Sequence, residues 1–384
     1  MATTTIKAAV ARNTDAPLTV ETLELDELKV NEVRVEMVST GICHTDAIVR
    51  DGIYPTPLPA VLGHEGAGVV TSVGKTVKHV SVGDHVVLSA AYCGACKQCR
   101  AGRMAYCENL FAEDFGGRRR DGSTSLSCCG EPISSHFFGQ SSFSTYANVV
   151  EESVVVIDKD VPLELMGPLG CGLQTGAGAV LNEIKPEAGS SLVVFGVGAV
   201  GSAAIMAAKV AGCTTVIAVD IHDSRLELAL DIGATHVINS SSRDVAEEIK
   251  MMTDGEGVQY AIDTTAIPAV TKKAAETLGI RGVLVLVGAA APGTEVPFEV
   301  GASLVKGWTF KTVVQGSSIP QEFIPRLVKL WKQGRFPFDK LIKFYSLDDI
   351  NQGFEDSKKG VVIKPVVKLR YPFLIAKLTP PPDD

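Results

Sequence analysis

The hydrophobic pattern of the chain changes near residue 172. Before that point apolar residues come in short runs, NEVRVEMVST and HEGAGVVTSVG among them, broken by Gly, Pro and Asp. Within the first run Val33, Val35 and Met37 alternate with Arg34 and Glu36, the two-residue period of a half-buried strand. Such runs predict a mixed, loop-rich β region. From about residue 176 the pattern becomes strand, glycine-rich turn, helix, strand: SLVVFGVGAVG runs into SAAIMAAKVAG, and TTVIAVD follows. VQYAIDTT and GVLVLVGAAA continue it, with helical AVTKKAAETLG between them. That alternation predicts parallel strands with crossover helices. After residue 314, IPQEFIPRLVKLWKQG predicts a helix and VVIKPVVKL a last strand, while the Pro-rich tail LTPPPDD is expected to be disordered. The expected fold is α/β in two domains, residues 1–172 with 315–384 and residues 173–314 between them.

Length agrees, since 384 residues exceed the ~250–300 at which single cores stop growing. The net charge of −8, without a basic stripe, argues against nucleic acid as a partner. No apolar run approaches the ~20 residues of a membrane helix, and MATTTIKAAVARN does not read as a signal peptide. A soluble, cytoplasmic protein with reduced thiols is the expectation.

Gly196, Gly198 and Gly201 form G-x-G-x-x-G directly after the apolar run LVVF and at the head of a helix. In that setting the first glycine permits a tight turn, the second lets backbone approach a pyrophosphate, and the third lets helix pack on strand. The helix start offers free N–H groups and a positive dipole end to the phosphates. Asp220 ends the next strand, where an acid hydrogen-bonds a ribose diol and repels a 2′-phosphate; NAD is therefore expected.

Four of the nine cysteines, Cys93, Cys96, Cys99 and Cys107, follow the spacing C-x2-C-x2-C-x7-C. Four thiolates close a tetrahedral zinc site with no open position, which pins a loop and does no chemistry. A disulfide framework conflicts with the compartment and with the strained geometry of such close pairs. Cys43 in GICHTD, His64 in LGHEG and Cys171 in GPLGCGLQTGAG also stand in glycine-flanked turns. Taken singly they read as small buried thiols and a core histidine; Cys171, at the change of pattern, is placed to face a cleft between domains.

GICHTD, GHEGAGVVTSVGKTVKHVSVGDHVV, the four-cysteine loop and the glycine motif, in this order, resemble the zinc-containing medium-chain alcohol dehydrogenases over roughly residues 5–370. YPTPLPAVLGHEGAG and GPLGCGLQTGAGAVLN look most like the aryl- or benzyl-alcohol branch, to which geraniol dehydrogenases belong. The resemblance implies a GroES-like catalytic domain, a Rossmann domain with a doubly wound parallel sheet, two zinc ions and NAD. It makes Cys43, His64 and Cys171 the catalytic zinc ligands, with Glu65 behind the metal and Asp46 orienting the ligating histidine. Thr45 is implied to touch the alcohol oxygen and start a proton relay, and His44 to meet the pyrophosphate. Thr175 is implied to sit near the nicotinamide ring, Ile221 and Arg225 around the adenosine ribose, and Val287 at the nicotinamide amide. The family's relay histidine is replaced by Ile48, so His44 or ordered water is expected to pass the proton on. A homodimer or homotetramer acting on a small alcohol or aldehyde is implied.

Substrate class rests on SAAY before Cys93, expected to leave a roomy pocket, and on Phe111, Phe115, Phe137 and Phe138 as aromatic surface. Arg118–Arg120, beside Gly116, Gly117 and Gly122, is expected to be a solvated loop, and Cys128, Cys129 and Cys213 packing or loop thiols. Alternative readings are a glutathione-dependent formaldehyde or polyol dehydrogenase, and a non-catalytic dinucleotide-binding relative.

Overall fold

The computed structural model describes residues 3–369, so the tail LTPPPDD lies outside the described residues. The described residues build three sheets. Five short strands form an antiparallel sheet in the order 60–61, 4–11, 19–25, 126–128, 131–133. A second sheet centres on Glu32–Gly41, which pairs antiparallel with Gly66–Val73 and with Tyr146–Val150. The alternation in NEVRVEMVST is realised there: Val33, Val35 and Met37 are buried.

The third sheet is parallel throughout and runs 236–239, 215–220, 191–195, 258–263, 278–286, 309–312. In chain order this is 3-2-1-4-5-6, the order of dinucleotide-binding sheets, whose ligand lies where the order reverses. Strand Ser191–Phe195 stands at that reversal, and the glycine motif leaves its end. Helices Gly172–Gly178 and Ala199–Ala211 pack beside it, the first buried at every residue.

After the parallel sheet the chain returns to the second one. Helix Pro320–Lys332 leads to strands Ile342–Ser346 and Lys364–Lys368, and the last pairs antiparallel with residues 39–41. Strand Lys364–Lys368 therefore lies beside the turn that carries Cys43. Cys171 stands between the glycine-rich segment Gly167–Gly170 and helix Gly172–Gly178, on the path from one set of sheets to the other.

Candidate active site and metal centres

Cys43 immediately precedes the helix His44–Arg50, His64 follows the left-handed Gly63, and Cys171 precedes helix Gly172–Gly178. Their ligand atoms and a carboxylate oxygen of Glu65 all lie within 4.8 Å of one another. Asp46 is fully buried and organises this turn. One of its oxygens accepts from His64 Nδ1 at 2.9 Å and from the Gly63 N–H at 3.1 Å; the other accepts from the Cys43 N–H at 2.9 Å. With Nδ1 so engaged, His64 Nε2 is buried and finds no hydrogen-bond partner among the described residues. An orphaned nitrogen converging with two sulfurs matches a Cys2His metal set.

The three ligand groups are strongly coupled electrostatically. Its hydrogen bond with Cys171 holds the Cys43 thiol well below its usual range, while the same contact and burial push Cys171 well above. Burial would pull the His64 imidazole down, but Asp46 and Cys43 outweigh it and hold it well above its usual value.

Behind the cluster lies a residue that sequence reasoning missed. Lys364 is buried, and its ammonium donates to both Glu65 oxygens, at 3.0 and 2.9 Å, and to the Ile42 carbonyl at 3.1 Å. Burial works against its charge, yet Glu65 outweighs that and Lys364 is pushed up to about 12. The cluster thus contains a fixed ion pair rather than a free carboxylate. The Thr45 hydroxyl stands 3.8 Å from Cys43 Sγ, and the Thr175 hydroxyl donates to the Cys171 carbonyl at 2.9 Å. His44 is exposed beside Thr45, whereas Ile48 is buried at 5% exposure.

The four sulfurs of Cys93, Cys96, Cys99 and Cys107 also lie within 4.8 Å of one another, and all nine cysteines are free. Backbone N–H groups point at them: Cys96 N–H to Cys93 Sγ at 3.3 Å, Cys99 N–H to Cys96 Sγ at 3.4 Å, Cys93 N–H to Cys107 Sγ at 3.4 Å. Burial alone would raise Cys93, but the N–H groups of Ala95 and Cys96, with Asn109 and Cys107, together outweigh it and pull the thiol down to about 6. Thiolates held by backbone dipoles suit a structural zinc.

A cleft of about 720 Å³ opens at the end of the parallel sheet, lined by Gly196, Asp220, Ile221, Arg225, Arg243 and Lys272 among others. Gly196 has φ +87°, and a Cβ on Gly201 would stand 1.9 Å from the Gly196 carbonyl oxygen. A Cβ on Gly198 would meet no described heavy atom within 4 Å, which leaves room for a phosphate. Both Asp220 oxygens are held by N–H groups, from Val197 at 2.7 Å and from Ile221 and His222 at 2.8 and 3.0 Å. Arg225 lies 3.6 Å from the same carboxylate, and its Nε is buried without a partner among the described residues. An unpaired donor beside a pinned acid fits the ribose end of a dinucleotide. Val287 begins the loop after strand Leu278–Leu286, its N–H bonded to Asp263 O at 3.0 Å.

Three expectations need correction. Arg119 is not solvated: it is 7% exposed, and its guanidinium bonds Glu32 at 2.6 and 3.0 Å and Asp26 at 2.8 Å. Arg118 and Arg120 are exposed, although Arg120 also pairs with Glu113 and Glu152 and donates to the Tyr92 carbonyl. Buried Glu32 needs a cation, and the loop folds back to supply one. The SAAY stretch opens no roomy pocket. The Ser89 hydroxyl is tied to the Gly170 carbonyl at 2.8 Å and to Gln174 at 2.6 Å, and the space alongside is only about 10 Å³. Among the four phenylalanines, Phe111 is 63% exposed, while Phe115, Phe137 and Phe138 are buried. Phe138 stacks on the His64 ring at 4.5 Å and Phe137 meets it edge-on at 5.6 Å.

Known proteins of similar sequence and structure bear on what this arrangement does. Residues 29–159 match the Alcohol dehydrogenase GroES-like domain and residues 199–333 the Zinc-binding dehydrogenase family. The chain is 41% identical to the geraniol dehydrogenase of Castellaniella defragrans, covering 94% of this chain and 97% of that one. It is similar to the crystal structure of an alcohol dehydrogenase zinc-binding domain protein from Burkholderia ambifaria, with TM-score 0.94, 52% identity and coverage of 96% and 100%. It is similar, too, to the benzyl alcohol dehydrogenase of Acinetobacter calcoaceticus, with TM-score 0.93, 49% identity and coverage of 96% and 100%.

Proposed function

The chain belongs to the zinc-binding alcohol dehydrogenase family, a GroES-like domain joined to a Rossmann-like one, and from that premise we propose that it oxidises primary aromatic or allylic alcohols reversibly to aldehydes with NAD. The observation that carries this reading is the buried, unpartnered Nε2 of His64 converging with Cys43 and Cys171 where the chain passes to the dinucleotide cleft. Residues 1–172 and 315–384 form the metal-bearing unit and 173–314 the cofactor unit. Each chain takes two zinc ions, one at Cys43, His64 and Cys171, the other at Cys93, Cys96, Cys99 and Cys107. The enzyme works in the cytoplasm, where reduced thiols remain available to metal.

When bound, zinc supplies Lewis acidity toward an alcohol hydroxyl, and the nicotinamide supplies the hydride acceptor. The chain's own residues do the rest. Asp46 holds the proton on His64 Nδ1, which leaves the Nε2 lone pair for metal. Thr45 accepts the alcohol proton at its hydroxyl oxygen and passes its own proton outward. Exposed His44, adjacent to it in sequence, or ordered water receives that proton, since buried Ile48 has no group to take it. Glu65 and Lys364 keep a neutral pair behind the ligands, and Phe137 and Phe138 shield His64 from water. Thr175 and Val287 flank the nicotinamide, and Ile221 and Arg225 the adenosine ribose.

The pinned Asp220 carboxylate faces the ribose and excludes a 2′-phosphate by repulsion. Asp220→Ser is expected to cut kcat/KM with NAD about tenfold and to raise it with NADP by at least as much. An unchanged ratio between the cofactors would remove Asp220 from the discrimination.

Substrate class follows from the names of the relatives. Initial rates of NADH formation test it: benzyl alcohol and geraniol should exceed ethanol at least tenfold in kcat/KM. Equal or better rates on ethanol would refute the aromatic and allylic assignment and leave the metal site untouched. Assembly as a homodimer or homotetramer accords with the edge strand Thr309–Thr312 and the apolar Val300, Leu304 and Val305 beside it, 77–85% exposed. Light scattering should give a mass of two or four chains.

A further inference from the structure

A hydrogen bond joins the segment after helix His44–Arg50 to the loop that follows the parallel strand Leu278–Leu286. The Tyr54 hydroxyl donates to the Ala290 carbonyl at 2.8 Å. Tyr54 belongs to the segment after helix His44–Arg50, which carries Thr45. Ala290 belongs to the loop 287–299, which leaves the parallel sheet at Val287 and contains neither strand nor helix. Loops this long without structure of their own are uncommon, and many act as lids.

The two partners differ in stiffness. Pro55, Pro57 and Pro59 follow Tyr54 and fix their φ angles, and the Ile53 N–H is tied to the Ile48 carbonyl at 2.9 Å. The phenol is thus presented from a rigid arm to the middle of a loop that is held at its start by the Val287 N–H on the Asp263 carbonyl at 3.0 Å and near its end by Phe298 stacked on Phe310 at 4.2 Å. Its ring is packed as well. Tyr54 stands edge-on to Phe115 at 5.6 Å, Phe115 meets Phe138 at 5.1 Å, and Phe138 stacks on His64 at 4.5 Å. An unbroken run of four rings connects the loop contact to a residue of the metal cluster.

We infer that Tyr54 is a positioning residue, a latch that holds loop 287–299 over the cofactor and ties its closure to the aromatic wall beside His64. The inference rests on the dinucleotide reading of the cleft given above. In the latched arrangement Val287 stays at the nicotinamide, and cofactor leaves only after the phenol–carbonyl bond breaks. A phenylalanine at position 54 would keep the ring contacts and lose the latch.

The test is Tyr54→Phe in the zinc-loaded enzyme, with melting temperature and zinc content expected to match the parent. Hydrogen exchange of amides 287–299, measured without cofactor, should be faster in the variant. NADH release by stopped-flow fluorescence should quicken about fivefold, the worth of one neutral hydrogen bond, and the NADH dissociation constant should rise by a similar factor. KM for NAD should rise, and kcat should not fall. Unchanged exchange and unchanged release, in a protein that binds NADH, would overturn the latch and leave the cofactor reading intact. Faster exchange in a protein that binds no NADH at all would overturn the release role and the cofactor reading together.

Discussion

Cys43→Ser enzyme is expected to carry one zinc per chain instead of two and to oxidise benzyl alcohol at least about a thousandfold more slowly. Serine keeps the size of the side chain, so the turn before helix His44–Arg50 should hold its shape. What it loses is the anion. A cysteine binds zinc as a thiolate, whereas a serine hydroxyl stays protonated. His64 and Cys171 alone are a poor zinc set. Lewis-acid stabilisation worth about 4 kcal/mol corresponds to the thousandfold loss. Metal analysis and the rate of NADH formation read the two effects separately. The zinc that remains should be the one at Cys93, Cys96, Cys99 and Cys107, where the N–H groups aimed at sulfur are untouched. Asp46→Asn should show a milder loss, about 10- to 100-fold, because it disturbs the orientation of His64 and not the ligand set. Full activity and two zinc ions in the serine variant would refute the assignment of Cys43.

A second large effect is expected far from that chemistry. Arg119→Ala should lower the melting temperature by about 10 °C, as removal of one partner from a buried ion pair costs about 3–5 kcal/mol. Glu32 is 1% exposed and accepts from Arg119, from His136 Nε2 at 2.9 Å and from the Lys29 N–H at 2.9 Å. Without Arg119 a buried carboxylate keeps only the latter two. The pH dependence has a definite sign. Burial alone would raise Glu32, but His136 and Arg119 outweigh it and hold the folded-state value at about 2, against an ordinary 4.5. The stabilisation from Glu32 is therefore present above pH 4.5 and is lost as pH falls from there through about 2. The gap in melting temperature between parent and variant should narrow over the same window. A variant that melts within 2 °C of the parent at pH 7 would show that the cluster contributes little. Arg119→Lys, which keeps the charge and loses the planar fork, should fall between the two.

Arg119 also shows where sequence reading stops. Three adjacent arginines among glycines look like a solvated loop, and only the folded sheet reveals a buried Glu32 beneath them. Lys364 is a similar case. In VVIKPVVKL it looks like a polar residue of an ordinary last strand; the antiparallel pairing of that strand with residues 39–41 brings its ammonium to Glu65. Both residues act through partners hundreds or tens of positions away, and local pattern carries no trace of such a pairing. The contrary case is the glycine motif. Its strand, turn, helix and closing acid are contiguous, so Gly196, Gly198, Gly201 and Asp220 were legible together with the strands and helix that hold them. The four-cysteine loop was legible for the same reason, since a single loop supplies every sulfur.

Cys43, His64 and Cys171 stand between these extremes. Each is unremarkable alone, and they meet only because three separate turns converge. Resemblance to a family pointed to them; the chain's own geometry adds Asp46 as the buried hub and His64 Nε2 as the unpaired nitrogen. The roomy pocket expected from SAAY failed because small side chains let neighbours close in. Gln174 and Gly170 reach Ser89, and Asp114 accepts the Ala91 N–H at 3.0 Å. Small residues leave space only when the surrounding backbone cannot follow them.

The most direct test of the central claim is anomalous diffraction at the zinc edge from crystals grown with NADH. Two peaks per chain are expected: one among Cys93, Cys96, Cys99 and Cys107, and one about 2.0–2.3 Å from His64 Nε2 and the sulfurs of Cys43 and Cys171. The second peak should stand at the mouth of the cleft that holds the dinucleotide. A peak at the four-cysteine loop alone, with NADH bound and none at His64, would contradict the proposal that this turn cluster is the reactive metal centre.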